Sequence, residues 1–575
     1  MKKMTYQDTI SLALCGEAGQ GIQTVEYLLA RMFKQSGFHI FATKEYMSRI
    51  RGGSNATELR ISSKPVTAFV DNIDILIPFD KAAYHHVEKR VTANTIILAD
   101  QHLFTENELK KTNLIDFPLT KTAMDAGGKI YVNTVATGVI AAICTINKTR
   151  LINEVNRLFS NKKEEIQNNN RNAAEQGYEI GSQLVQSHGI TVLIKKDDMV
   201  ANEMLLSGSE AVGLGALVGG CNFISSYPMS PSTGILTFLS SNSQNFDVVA
   251  EQAEDEISAI NMALGASYAG ARAMVTTSGG GFALMVEGVS LAGMLELPLV
   301  IHLSQRPGPA TGLPTRTEQA DLLFSLFAGH GEFPRIMFAP RTLEEAFFLS
   351  AKAFNLADKY QIPVFILTDQ YFVDSYYNTK VFDIGSASLE SSVVKTDATY
   401  RRYPLTKNGI SPRGIPGFGN GLICVDSDEH DEEGHITENL DVRTEMVDKR
   451  LRKLEEIKKD IIPPELKGPK DFTQLVVGWG STYYGICEAV EHIKRNDLAV
   501  LHFSQIYPVH PKAKTYLDQA ENIILVENNA TGQFGQLLKL HTGIDIPTKI
   551  LQYNGLPFSV ETLVKRINHA IQGGK

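Results

Sequence analysis

The chain has 575 residues, a net charge of −9 and 43% apolar residues, which is the composition of a large globular protein with several cores. Its charged residues form no basic stripe of the kind that marks a nucleic-acid footprint, and no run of about 18 apolar residues suggests a membrane span. The five scattered cysteines include no Cys-x-x-Cys pair for zinc or for a self-contained iron–sulfur cluster. The first residues are polar and lead into a glycine turn rather than a cleavage site, so a cytoplasmic protein is expected.

Strand-like runs alternate with helical ones in three blocks, which predicts α/β domains with parallel sheets. The first block runs from about residue 8 to 185. It opens with Ile10-Ser11-Leu12-Ala13-Leu14-Cys15 as a strand, then Gly16-Glu17-Ala18-Gly19-Gln20-Gly21 as a turn, then a helical pattern from Thr24. Glycines allow close backbone approach, and a helix N-terminus attracts anions. The spacing is not that of a dinucleotide or P-loop motif, so a plain structural turn and a phosphate site remain equally open. Further on, Ser48-Arg49-Ile50-Arg51-Gly52-Gly53-Ser54-Asn55 places two arginines beside two glycines, which suits an anionic ligand or a partner carboxylate.

The second block spans about residues 205–374. Glu251-Gln252-Ala253-Glu254-Asp255-Glu256-Ile257 reads as the start of a helix, where acids are favoured by the dipole. Glu256 is the exception, because it adjoins the apolar face expected from Ile257 and Ile260 and would be desolvated there. Three turns follow predicted strands: Tyr227-Pro228-Met229-Ser230-Pro231, Ser278-Gly279-Gly280-Gly281, and Arg306-Pro307-Gly308-Pro309-Ala310-Thr311-Gly312-Leu313-Pro314-Thr315. In parallel sheets, ligands sit at the carboxyl ends of strands. An arginine with hydroxyls suits a 2-oxo carboxylate.

From about residue 378 to 468 the periodicity weakens and Pro, Gly and charge accumulate. We expect an ordered connection anchored by Ile410 and Phe418. Asp426, Asp428, Glu429, His430, Asp431 and His435 invite a metal reading, but acid-rich loops are usually solvated, and no metal is assigned to this chain. The last block, about 472–571, alternates again, with strands at Leu475–Trp479 and Ile523–Val526.

Taken together, GEAGQGIQT and SRIRGGSNATELRIS resemble the gamma domain of 2-oxoacid:ferredoxin oxidoreductases. The ordered motifs of the second block are similar to the alpha subunit of the same enzymes, and Glu527-Asn528-Asn529-Ala530-Thr531-Gly532-Gln533 resembles their transketolase-C-terminal-like domain. The resemblance implies a multi-domain α/β protein. A gamma-type domain would occupy residues 1–190 and a pyrimidine-type thiamine-diphosphate domain 200–380. A connection at 381–468 and the C-terminal domain at 469–575 would follow. It implies that Glu256 is the catalytic and cofactor-binding glutamate, hydrogen-bonding the aminopyrimidine ring, with Tyr227, Pro228, Ser278 and Gly279 also against the cofactor. Ser230, where the family usually has Thr, Arg306 and Thr315 would contact substrate. Gly280 stands where the family commonly has Pro. Gly19, Gly21 and Arg51 would lie at the mouth of the site, associated with CoA.

No Gly-Asp-Gly sequence precedes Asn528-Asn529, and no cluster cysteines exist. The resemblance therefore implies a beta subunit that supplies the diphosphate half-site, Mg2+ and a [4Fe–4S] cluster, with ferredoxin as electron acceptor and an (alpha-beta)2 assembly, or a homodimer when isolated. The loop 306–315 looks like versions associated with 2-oxoglutarate. Pyruvate, branched-chain and aryl-pyruvate substrates are the alternatives, followed by another thiamine-dependent transferase and a catalytically silent scaffold.

Overall fold

The computed structural model describes residues 4–17, 22–48, 53–110 and 112–573. The chain divides into two compact units: residues 1–206 with 375–381 and 559–561, and the remainder.

The first unit is built on an eight-stranded sheet. Asn113–Asp116, Ile96–Ala99, Ile75–Pro78 and Thr9–Glu17 run parallel. Thr9–Glu17 then pairs antiparallel with Ser54–Ser62, which pairs antiparallel with His39–Glu45. The sheet is therefore mixed, not parallel as expected. The reason is local: only residues 46–53 separate His39–Glu45 from Ser54–Ser62 in sequence, whereas a parallel pair needs a crossover of a dozen residues or more. The polar stretch near 162–172 begins the helix Glu164–His188. Its small residues Ala174 and Gly177 face the helix Val132–Ile143, where a Cβ on Gly138 or Gly177 would collide with the opposite backbone. Small residues here permit close helix approach, and the polar face is left to solvent.

The second unit holds two sheets. Six strands of the larger run parallel, in the order Val249–Gln252, Phe223–Ser226, Ala273–Thr277, Leu299–Gln305, Pro363–Asp369 and Ile336–Phe338. Gln505–Tyr507 closes this sheet antiparallel. Leu299–Gln305 and Pro363–Asp369 are buried at every position, as expected for central strands covered on both faces. The five-stranded sheet places Gln474–Trp479 between Leu498–Phe503 and Asn522–Glu527, all parallel. Among the described residues no single helix is long and apolar enough to cross a membrane.

The connection is ordered, but not by the anchors expected. Phe418 is exposed and Ile410 only half-buried. The chain is tied down instead by buried charge. Arg413 Nη2 donates to Asp358 Oδ1 at 2.7 Å and its Nη1 to the Ser267 carbonyl at 3.1 Å. Lys449 and Lys453 each lie 2.5 Å from a Glu296 carboxylate oxygen, while Arg402 Nη2 donates to the Glu296 carbonyl at 2.7 Å. Two residues of the acid-rich loop are also engaged: Glu429 pairs with Arg443 and Arg450, and the His430 ring lies against Tyr403 with centroids 4.0 Å apart.

Removing one member of a buried pair leaves the other uncompensated. Arg413→Leu should therefore lower the stability of the second unit by about 3–5 kcal/mol, read from urea unfolding; a loss below about 1 kcal/mol would contradict the buried-charge account.

Candidate active site

The parallel order of the larger sheet brings four segments to one edge. The loops after Phe223–Ser226, Ala273–Thr277 and Leu299–Gln305, and the helix that follows Val249–Gln252, all leave the carboxyl ends of adjacent strands. They carry Tyr227–Ser230, Ser278–Gly281, Arg306–Thr315 and Glu256.

The helix begins later than its acidic run suggests. Glu251 belongs to the exposed edge strand, and the helix is Glu256–Tyr268, capped by Asp255, whose Oδ1 accepts the Ser258 N–H at 2.7 Å. The Asp side chain satisfies a free N–H of the first turn better than further helix would. Glu256 is thus the first helical residue. Its i+3 and i+4 neighbours, Ala259 and Ile260, are buried, as are Ala263 and Leu264; Ile257, expected on that face, is half exposed. Glu256 itself is 4% exposed, and its Oε1 is buried with no hydrogen-bond partner among the described residues.

The glycine run after Ala273–Thr277 is shaped by two carboxyls. A Cβ on Gly281 would collide with Glu256 Oε1 and Thr277 Oγ1, and one on Gly279 would lie 2.5 Å from Asp321 Oδ2. At Gly280 a Cβ would meet only the Ala310 carbonyl, at 3.8 Å, so this position has room for a larger residue. Ser278 precedes the helix Gly279–Met294, and its Oγ is buried without a partner among the described residues.

Arg306 and Ser230 meet: Arg306 Nη1 donates to the Ser230 backbone carbonyl at 2.6 Å. The contact uses the Ser230 carbonyl rather than the hydroxyl. Thr315 is buried, Tyr227 is 41% exposed, and Pro228 and Gly279 are intermediate. Gly19, Gly21 and Arg51 lie outside the described residues.

Residues 214–449 match the family model described as pyruvate flavodoxin/ferredoxin oxidoreductase, thiamine diP-bdg, and residues 11–180 match the one described as pyruvate ferredoxin/flavodoxin oxidoreductase. A 2-oxoacid:ferredoxin oxidoreductase subunit alpha from a Sulfolobus species is 32% identical over 630 aligned residues, covering 98% of each chain. The chain belongs to the 2-oxoacid:ferredoxin oxidoreductases. The 2-oxoglutarate oxidoreductase subunit KorA of Mycobacterium tuberculosis is 26% identical, over 98% of this chain and 92% of that one. The structure of 2-oxoglutarate:ferredoxin oxidoreductase from Magnetococcus marinus, with 2-oxoglutarate, coenzyme A and succinyl-CoA bound, is similar with a TM-score of 0.91 at 27% identity. That match covers 98% of this chain and all of that one.

The thiamine diphosphate-binding domain of this oxidoreductase family member has residues that fit the aminopyrimidine half of that cofactor. A buried carboxylate oxygen without a donor costs about 1–3 kcal/mol or more, and a ring nitrogen that shares a proton with Glu256 Oε1 would remove that cost. The missing side chain at Gly281 keeps the space beside Oε1 clear.

Other residues at this edge were not singled out from the sequence. His302, fully buried on Leu299–Gln305, bridges three strands: Thr276 Oγ1 lies 2.8 Å from its Nδ1 and Thr368 Oγ1 2.9 Å from its Nε2. Burial pulls its pKa down to about 3, so it is a neutral hydrogen-bonding rung. Its even spacing with Ser304 on an apolar strand was the available signal. Asp321 accepts no hydrogen bond at its buried Oδ2 among the described residues. Burial pushes its pKa up to about 6, against the pull of Arg306, and Glu318 is pushed up to about 7 by burial and by Asp321.

Asp321 holds its proton more tightly when folded than when unfolded, so the stability it contributes is lost as pH rises from about 4 through about 6. Asp321→Asn preserves the shape of the protonated acid. It should raise the thermal midpoint at pH 8 by about 2 °C and leave it unchanged at pH 4; equal shifts at both pH values would contradict the assignment.

Proposed function

We propose that this chain is the alpha subunit of an enzyme that oxidatively decarboxylates a 2-oxoacid, with 2-oxoglutarate favoured, and converts it with CoA to acyl-CoA and CO2. Electrons pass to ferredoxin through a partner beta subunit. The observation that carries the reading is the Glu256 oxygen without a partner among the described residues, at a sheet edge that also presents Arg306.

When bound, thiamine diphosphate supplies the electron sink that stabilises the carbanion left by CO2 loss. The chain's residues prepare for it. Glu256 presents a hydrogen-bonding carboxyl to the aminopyrimidine ring, and the glycine at 281 keeps a side chain away from its Oε1, as the glycine at 279 does for Asp321. Tyr227, Pro228 and Ser278, on loops at the same sheet edge, are assigned to the cofactor from the sequence resemblance. Arg306, held by the Ser230 carbonyl, offers positive charge to the substrate carboxylate, with the Ser230 and Thr315 hydroxyls as further donors. Gly19, Gly21 and Arg51 are assigned to CoA from the sequence resemblance alone.

The division into residues 1–190, 200–380, 381–468 and 469–575 belongs to this proposal. So do a cytoplasmic location and an (alpha-beta)2 assembly, with a homodimer for the isolated chain. The absence of Gly-Asp-Gly and of clustered cysteines from the sequence supports placing Mg2+, the diphosphate half-site and the [4Fe–4S] cluster on the beta subunit. Relatives named for 2-oxoglutarate support the substrate preference.

Co-purification of the native complex, followed by viologen reduction with a panel of 2-oxoacids plus CoA, tests the assignment. Glu256→Gln in that complex should lower kcat by about 10²–10⁴-fold with assembly intact. The isolated chain should reduce no dye. Activity of the Gln variant within a few-fold of wild type, or turnover without a partner, would overturn the reading.

A further inference from the structure

The loop after Leu299–Gln305 has two unlike halves. Residues 308–313 are exposed, whereas Thr317 and Gln319 are each 1% exposed. The buried half is fastened to the carboxyl ends of two strands of the five-stranded sheet. Gln319 N donates to the Asn528 carbonyl at 2.7 Å, and Asn528 N returns the bond to Gln319 Oε1 at 3.1 Å. Gln319 Nε2 donates to the Trp479 carbonyl at 3.0 Å. Asn529 Nδ2 donates to the Gln319 carbonyl at 3.0 Å and to Glu527 Oε2 at 2.6 Å.

Glu527 is itself fixed, because it is fully buried and accepts the Phe534 and Gly535 N–H groups at 3.1 and 3.0 Å. Thr317 adds a bond from its Oγ1 to Asp369 Oδ1 at 3.2 Å, and Asp369 also accepts the Ser481 hydroxyl. Asn528 Nδ2 serves the Gln552 and Leu556 carbonyls at 3.0 and 3.2 Å. The Asn-Asn pair therefore spends its amides inside the chain.

Burying this many polar groups gives little net stability compared with apolar packing of the same volume. What it gives is direction: both backbone and side-chain groups of Gln319 are bonded, so the residue has one register. Arg306 and Thr315 lie on the loop that Gln319 anchors. We propose that Gln319, Asn528 and Asn529 form a positioning clamp through which the C-terminal sheet sets the geometry of the substrate loop. The proposal rests on the function assigned above to Arg306 and Thr315.

The test compares wild type with Gln319→Met, which keeps the volume and removes both side-chain bonds. Gln319→Glu, which keeps the acceptor for Asn528 N–H, is the second variant should the first fail to fold. Backbone hydrogen exchange of the isolated chain is read at residues 306–315, and kcat and KM are read in the assembled complex. Exchange in that segment should rise at least tenfold while the strands Leu299–Gln305 and Gln474–Trp479 keep their protection. KM for the 2-oxoacid should rise about tenfold with kcat within about threefold. A merely structural strut would loosen the strands as well and leave KM unmoved. Unchanged exchange at 306–315 in both variants overturns the clamp. Absence of 2-oxoacid turnover by the wild-type complex would overturn the function while the exchange result still decides the clamp.

Discussion

The Glu256 carboxyl is held at the first position of a helix with its cap provided by Asp255, so its side chain is free of capping duty. It turns inward, where one oxygen finds no donor among the described residues. A fold tolerates such a group only when something outside the chain completes it or when the surroundings hold it in place. Here the surroundings are arranged around it. Gly281 is small because a side chain there would displace the oxygen, and Gly279 is small because Asp321 occupies the facing space.

The interior beneath the site carries hydrogen-bonded polar groups among its apolar strands. Ser226 Oγ donates to the Thr276 carbonyl at 2.6 Å and Ser225 Oγ to the Ala259 carbonyl at 2.6 Å. The Thr276–His302–Thr368 rung crosses three strands. Hydrogen-bonded groups in a low-dielectric interior are costly to leave unsatisfied, so such networks narrow the set of arrangements the loops adopt. Rigid supports beneath a reacting centre serve catalysis because small misplacements lose much of the rate.

Much of this was legible in the sequence. Apolar runs marked the central strands, and the hydroxyl- and glycine-rich turns after them located the sheet edge and the residues gathered there. The departures have physical causes. Glu251 and Glu254 looked helical because acids favour helix starts, but Asp255 competes successfully as a cap, so Glu251 falls in the strand Val249–Gln252 and Glu254 in the bend between strand and helix. Ile257 looked buried by adjacency, whereas the helix period places Ala259 and Ile260 on Glu256's face. The first unit's sheet is mixed because a short link joins neighbouring strands, which alternation alone does not reveal. Ile410 and Phe418 were expected as apolar anchors, yet the connection is held by Arg402, Arg413 and Lys449, whose partners are distant in sequence and invisible to local pattern.

The most direct measurement is a structure of the assembled alpha–beta complex with thiamine diphosphate bound. The account predicts a Glu256 carboxylate oxygen within about 2.6–3.2 Å of an aminopyrimidine ring nitrogen, with Arg306 facing the same cavity. A pyrimidine ring contacted by some other carboxyl, with Glu256 directed into solvent, would contradict it.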